Sequence, residues 1–293
     1  MSYRLAVATP VVTSIATPGQ GSAALLSIRL LALLEKMPNR ATAEDVHRLR
    51  TTVRRLEVQL GQCPPKIAKS LKALRRKAGK VRDIDVHLIL LRSSLFARSS
   101  PAPSCPREQL RQALNARRKR NLSSLRRLVP SATPLLESKL PRLAERAVRP
   151  TPSVRAAHQL TTQARECFLQ WTRTIPEESE QLHRLRIDTK KLRYSLEPLE
   201  AFAESAELAA RFKQVQDAIG CWHDWATLLH LAGHELDPSG SEPAYAGLEA
   251  RTSREYRKAR RTAQSVREWM ISPKLAVSPL AAKSTQPINR KAG

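Results

Sequence analysis

Apolar residues recur along most of this chain at alternating intervals of three and four, the spacing of helices that bury one face. A short apolar helix is expected over about residues 22–37, closed by Pro38 and Asn39. The next opens at Thr42 or Ala43 and carries Val46, Leu49, Val53, Leu56 and Leu60 as its stripe, with Glu44 and Asp45 in the first turn complementing the helix dipole. Gly61 to Pro65 ends it. A third points Ile67, Leu71, Leu74 and Ala78 inward and is expected to break at Gly79, with a separate helix over Val81 to Phe96. A proline-rich loop, Ser99 to Pro106, leads to a very basic helix from about Arg107 to Leu128. Pro130, Pro134, Pro141, Pro150 and Pro152 then mark a seam near 130–152. Further helices are expected over Ser153–Thr174, from about Glu178 (stripe Leu182, Leu185, Thr189, Leu192, Leu196, Leu199), and over Ala206–Ala218. Trp222–Glu235 and Pro243–Met270 complete the series. Residues 1–21 read as a disordered leader and residues 272–293 as a disordered tail.

The polar positions carry more information than the apolar ones. In the helix from Glu178, His183, Arg186, Lys190 and Arg193 run down a different side from the leucine stripe, and Arg184 and Lys191 widen that side into a cationic surface. Most such faces are simply solvated. Here the pattern occurs twice: aligning His47 with His183 places Leu49 on Leu185, Arg50 on Arg186, Arg54 and Arg55 on Lys190 and Lys191, and Leu56 on Leu192. A solvated face has no reason to repeat a histidine and its cations in one order. Duplication of a structural unit is the natural source, with repeat one over about 22–130 and repeat two over about 150–271. The repeated cations then face each other or a shared ligand.

A second element also repeats. Gly79-Lys80-Val81-Arg82-Asp83 matches Gly220-Cys221-Trp222-His223-Asp224. Each glycine suits a helix C′ position. Each aspartate would charge the next helix's first turn or hold a cation from the neighbouring basic helix, a structural role in either case.

Charge decides the partner class. The 293 residues carry 51 Lys and Arg against 26 Asp and Glu, a net charge of +25, so a neutralising polyanion is expected. With 41% hydrophobic residues, 4% aromatic residues and few glycines, the chain suits an all-α protein with a packed core. Cys63, Cys105, Cys167 and Cys221 lack paired spacing and read as reduced thiols. No apolar run approaches the roughly 20 residues that span a bilayer, so no membrane role is expected.

Other chemistry is thin. His230 and His234, four apart beside Glu235, could hold a metal but have no third ligand by spacing, so a surface pair is expected. Asp83 and Asp85 would point to different sides of a helix. Phosphate-binding glycine loops and nucleophile elbows are absent from the sequence, and Trp171, Trp222, Trp225 and Trp269 read as core. No cofactor and no catalysis are expected.

Together, the two H-x-x-R-x-x-x-[RK]-[RK]-L segments, the Leu192-Arg193-Tyr194 ending and the two G-x-x-[RH]-D elements resemble the CHAD domain family over about 22–271. The resemblance implies two four-helix bundles related by a pseudo-two-fold axis, with a basic central channel. It implies binding of inorganic polyphosphate, a cytoplasmic location and, in many members, residence on polyphosphate granules. His47, Arg50, Arg54, His183, Arg186 and Lys190 would form the centre of the site, joined by Arg55, Lys191 and Arg193 on the same helices. Lys72, Arg76, Arg82, Arg117, Arg120, Lys213, Arg257 and Arg261 would add outlying charge. Glu57 stands where the second repeat has Arg193, and His223 where the first has Arg82, so the halves need not grip equally. Arginine forks engage two phosphate oxygens each, and lysine acts as a point charge. Phosphate beside His47 and His183 would favour their charged form, so binding is expected to strengthen as pH drops from 7 to 6. Nucleic acid is the rival partner, on charge and the arginine-rich 117–127 segment. A metal-dependent polyphosphate phosphohydrolase is a further reading.

Overall fold

The computed structural model describes residues 23–92, 105–147, 152–236 and 241–272. These form eight α-helices and one 3-10 turn, with no strand among them: α1 Ala23–Arg40, α2 Ala43–Leu60, α3 Pro65–Leu90, α4 Pro106–Arg146, α5 Val154–Trp171, α6 Ser179–Leu196, the turn Glu197–Leu199, α7 Ala203–Glu235 and α8 Glu242–Ile271. The expected leader and tail, the end of the Val81–Phe96 helix and most of the Ser99–Pro106 loop lie outside the described residues.

The fold is all-α, as expected, but with fewer and longer helices. Gly79 and Gly220 do not end helices: each sits in the interior of one, α3 and α7. Among the described residues, the glycine that takes a positive φ is Gly61, at φ 58° behind α2. Nor do Pro130, Pro134 and Pro141 open a seam, because α4 runs through all three to Arg146. Leu122, Leu125, Val129, Ala132, Leu136, Leu140 and Ala144 keep their helical spacing across the prolines and are all buried. Pro130 and Pro134 face solvent, where water can serve the carbonyls their missing N–H groups leave free. Burial outweighs the local penalty.

Three apolar cores organise these rods. The first gathers α1, α2, the N-terminal half of α3 and the C-terminal half of α4, from aliphatic side chains such as Leu30, Leu49, Leu74 and Leu136. The second gathers α5, α6, the N-terminal half of α7 and the C-terminal half of α8, and is richer in rings, with Phe168 and Phe212 5.3 Å apart at its centre. In the third, Ile84, Leu91, Leu110 and Leu114 of the first half meet Trp225, Leu228, Leu231 and Leu248 of the second. Trp222 and Trp225 are therefore core residues, as their spacing suggested, while half-buried Trp171 and Trp269 pack on the second core.

Thr42 fixes the entry of α2 through a capping box. Its hydroxyl accepts from the Asp45 N–H at 3.1 Å, and its own N–H donates to Asp45 Oδ2 at 2.9 Å. The Thr42 hydroxyl, which also donates to Asp45 Oδ2 at 2.7 Å, then the Thr42 N–H and Lys36 Nζ at 2.9 Å, hold the Asp45 carboxyl down at about 2. The cap sets where the first basic stripe begins, and the halves joined along α3 and α7 set what it faces.

Candidate functional site

The two cationic stripes meet. Arg54 on α2 donates from Nη1 to the Tyr194 hydroxyl on α6 at 2.6 Å, and its guanidinium lies 5.6 Å from that ring's centroid. Arg193 covers the same ring at 4.3 Å. One tyrosine thus sits between guanidinium groups from both halves. Beside it, the Lys190 ammonium is pushed down to about 7, first by burial and then by Arg54, Arg186, Arg50 and Arg193. Burial likewise lowers the Arg50 guanidinium, with Arg54 and Arg186 adding repulsion and Asp83 opposing them. Cations crowded this way, half out of water, are an arrangement that an anion relieves.

The same contacts recur in each half. Arg50 lies against Gly79, where an added Cβ would come within 3.4 Å of its Nε, and Arg186 lies against Gly220 at 3.6 Å. One helical turn on, Asp83 Oδ1 stands 4.0 Å from Arg50 Nη2. In the second half the Asp224 carboxyl is pushed up to about 6 by burial, with Arg186 as the leading opposing charge. The repeated glycines therefore each face one of the repeated arginines from inside a helix, and the repeated aspartates do not begin new helices. Holding a cation from the basic helix is the role that the Asp83 contact fits.

The histidines follow suit. His47 is held below its ordinary value by burial and by Arg82. His183 packs its ring 4.6 Å from His223, the residue standing where the first half has Arg82. Burial, then Arg186, His183 and His87, drives His223 down to about 4. The buried Nδ1 atoms of His47 and His183 find no hydrogen-bond partner among the described residues. A cavity of about 330 Å³ opens beside Arg186, bounded by Leu90, Gln216, Gly220 and Asp224.

His47, Arg50, Arg54, Arg82, His183, Arg186, Lys190 and Arg193 are thus brought into one neighbourhood. The remaining expected cations are not. Arg55, Lys72, Arg76, Arg120, Arg257 and Arg261 are exposed, with no hydrogen bond or ion pair to this group among the described residues. Lys191 pairs with Asp188 at 2.7 Å and Lys213 with Asp217 at 2.6 Å, each along its own helix. Arg117 pairs with Glu235 of α7 and ties the halves together. Glu57 pairs with Arg75, whereas Arg193 reaches Glu197 at 2.7 Å and Gln216 at 3.1 Å. His230 and His234 are an exposed pair with rings 4.8 Å apart, and Asp85 turns away from Asp83 to bind Arg118 at 2.6 Å.

Tyr194, His87 and Gln216 belong to the neighbourhood, yet no role was read for them from the sequence. Tyr194 lay inside the motif, and His87 stands one turn beyond Asp83 on the same side of α3. Gln216 carried no signal. Among the described residues no group of three His, Cys, Asp or Glu is placed to hold a metal, and no helix is long and apolar enough to cross a membrane. The four cysteines are free, and burial pushes the Cys221 thiol up to about 11.

The CHAD domain family model matches residues 24–233. No curated protein matches this chain. Among solved structures, the crystal structure of the CHAD domain from the plant Ricinus communis aligns over 88% of this chain and 92% of its own, at a TM-score of 0.60 and 16% identity. That likeness speaks for the fold, and the family match, over well more than half of the residues, for the lineage. The chain belongs to the CHAD domain family.

Proposed function

We propose that this protein binds inorganic polyphosphate between α2 and α6 and does not turn it over. The observation that carries the reading is the convergence of Arg50 and Arg54 with Arg186, Lys190 and Arg193 around Tyr194. A phosphate chain offers oxygens on every side and no base edges, so charge and fork geometry suffice to recognise it. The basic stripes line a channel in this reading, and the recurring Gly, Arg and Asp contacts reflect a duplicated unit. A cytoplasmic location, with attachment to polyphosphate granules, belongs to the same proposal.

The test is competition at 150 mM salt. A fluorescent long-chain polyphosphate bound to the protein is challenged with unlabelled polyphosphate, duplex DNA or RNA. Polyphosphate should compete far better per charge, and equal competition by nucleic acid would transfer the assignment to that partner. Arg186→Ala with Lys190→Ala should cost far more affinity than Arg254→Ala with Lys258→Ala on the exposed face of α8. Equal losses would mean diffuse attraction without a defined site. Release of phosphate with Mg²⁺ or Mn²⁺ would restore an enzymatic reading.

A further inference from the structure

We infer that the outer corner of the first half is a second binding site, for a single-chain amphiphile with an anionic head. A cavity of about 610 Å³ lies there, between the start of α3 and the last turns of α4, walled by Pro64, Pro65, Ile67, Leu135 and Leu143. That volume falls in the range of small-molecule sites. Its rim carries Lys66, Lys139, Arg142 and Arg146 and no carboxylate. None of the four has an ion pair among the described residues. An apolar slot ringed by unpaired cations matches a molecule with a hydrocarbon body and a negative end.

The corner is a separate place from the basic site. Pro65 and Gly79 lie on one helix, and fourteen residues at 1.5 Å each put about 20 Å between them. The second half is built differently at this point. The start of α7 and the end of α8 carry rings there: Phe202 and Trp269 pack on the second core, and Arg211 lies over Trp269 at 4.6 Å. Among the described residues, the first core contains no ring. Two other occupants fit the charge badly. Residues 1–22 contain neither Asp nor Glu, so they would leave the rim unneutralised. A second copy, at +25, would bring more of the same sign. The occupant we assign is a free long-chain carboxylate.

Calorimetry on the full chain with dodecanoate, below its micellar concentration, tests this. One molecule should bind per chain, at least tenfold more tightly than dodecanol or dodecyltrimethylammonium. Lys139→Glu with Arg142→Glu should weaken binding tenfold or more, and Leu135→Asp should abolish it. The charge-matched pair Arg254→Glu with Lys258→Glu on α8 should change it less than twofold. Comparable binding of the cationic or neutral amphiphile would overturn the proposal, as would uptake without saturation or insensitivity to the Lys139/Arg142 pair. Binding only to phosphatidylglycerol vesicles, with none to monomeric dodecanoate, would overturn it in favour of a membrane surface. None of these outcomes depends on polyphosphate.

Discussion

Raising the pH from 7 to 9 should release bound polyphosphate through one residue, Lys190. In the free protein its ammonium is pushed down to about 7, by burial and by the guanidinium groups of Arg54 and Arg50 on α2 and Arg186 and Arg193 on α6. A phosphate chain among those groups cancels their repulsion and returns Lys190 toward its ordinary 10.5 or above. Between those two values, binding takes up a proton, so affinity falls as pH rises; below the lower one, free Lys190 is already charged and the effect ends. At pH 9 about a hundredth of free Lys190 is protonated, and at pH 7 about half, which sets a ceiling of about fiftyfold in affinity between them. Lys190 is only partly shielded from water, and screening reduces this to roughly ten- to fiftyfold. The assay is titration of polyphosphate at fixed ionic strength across this range, beside Lys190→Arg. Arginine stays charged throughout, so that variant should bind with a much flatter profile and match the wild type at pH 7. Titrations in buffers of different ionisation enthalpy at pH 8.5 should show close to one proton taken up by the wild type and almost none by Lys190→Arg. Identical pH slopes would refute the reasoning. So would an effect confined to pH 7 to 6, which would return it to His47 and His183.

Other expectations follow from the same contacts. Asp224→Asn should tighten polyphosphate binding a few-fold at pH 8, where the carboxyl is ionised above its value of about 6, and the gain should vanish below pH 5. Weakened binding would instead make Asp224 the anchor of Arg186. Alanine at Gly233, which has nothing within 4 Å of its added Cβ, should raise unfolding free energy by up to about 1 kcal/mol. Gly220 should give a similar gain, because its new methyl would make an ordinary contact with Arg186 Nε at 3.6 Å, and Gly79, at 3.4 Å from Arg50 Nε, lies at the edge of that range; urea melts showing a clear loss at Gly220 would refute this. Thr42→Ala should cost about 1 kcal/mol by the same measurement, the usual value of an N-cap, and a neutral result would mean that Asp45 holds the turn alone. Phe168→Ala, which empties a fully buried ring position against Phe212, should cost about 3–5 kcal/mol, and a loss below 1 kcal/mol would mean the second core collapses onto the gap.

Helix positions were legible because burial itself writes the three-four spacing. Val46, Leu49, Val53, Leu56 and Leu60, with Leu182, Leu185, Thr189, Leu192, Leu196 and Leu199, stand on the inner faces where the periodicity puts them, all buried. The glycines and prolines were misread for a shared reason. Gly79 supplies either a left-handed turn or room for a neighbour, and which one depends on Arg50 of another helix, invisible to a local rule. Pro130 and Pro134 are tolerated because α4 buries residues on both sides of them in cores that other helices complete. The stripes were readable because they repeat. Lys213 and Arg257 lie away from the central group, a placement that sequence could not show because it gives which face of a helix is basic and not which face the other half covers.

The central cations show where stability has been given up. Lys190 and Arg50 are both held below their ordinary values with burial as the first cause, and the acids within reach, Asp83 and Asp224, fall short of full compensation. Asp224 is itself pushed toward its neutral form, so it neutralises Arg186 less than an exposed carboxylate would. Evenly spread surface charge would show none of these shifts, since water screens it. The +25 of the whole chain accounts for attraction to any polyanion. Among the described residues, Arg50 and Lys190 of the partly desolvated group between α2 and α6 are held down by burial and by neighbouring cations, so an anion arriving there would remove a cost already present. In the proposed function, a bound chain would replace that repulsion with paired charge and gain most at this place. That difference makes a defined site, as opposed to a basic surface, a physical statement about Arg50, Arg54, Arg186 and Lys190.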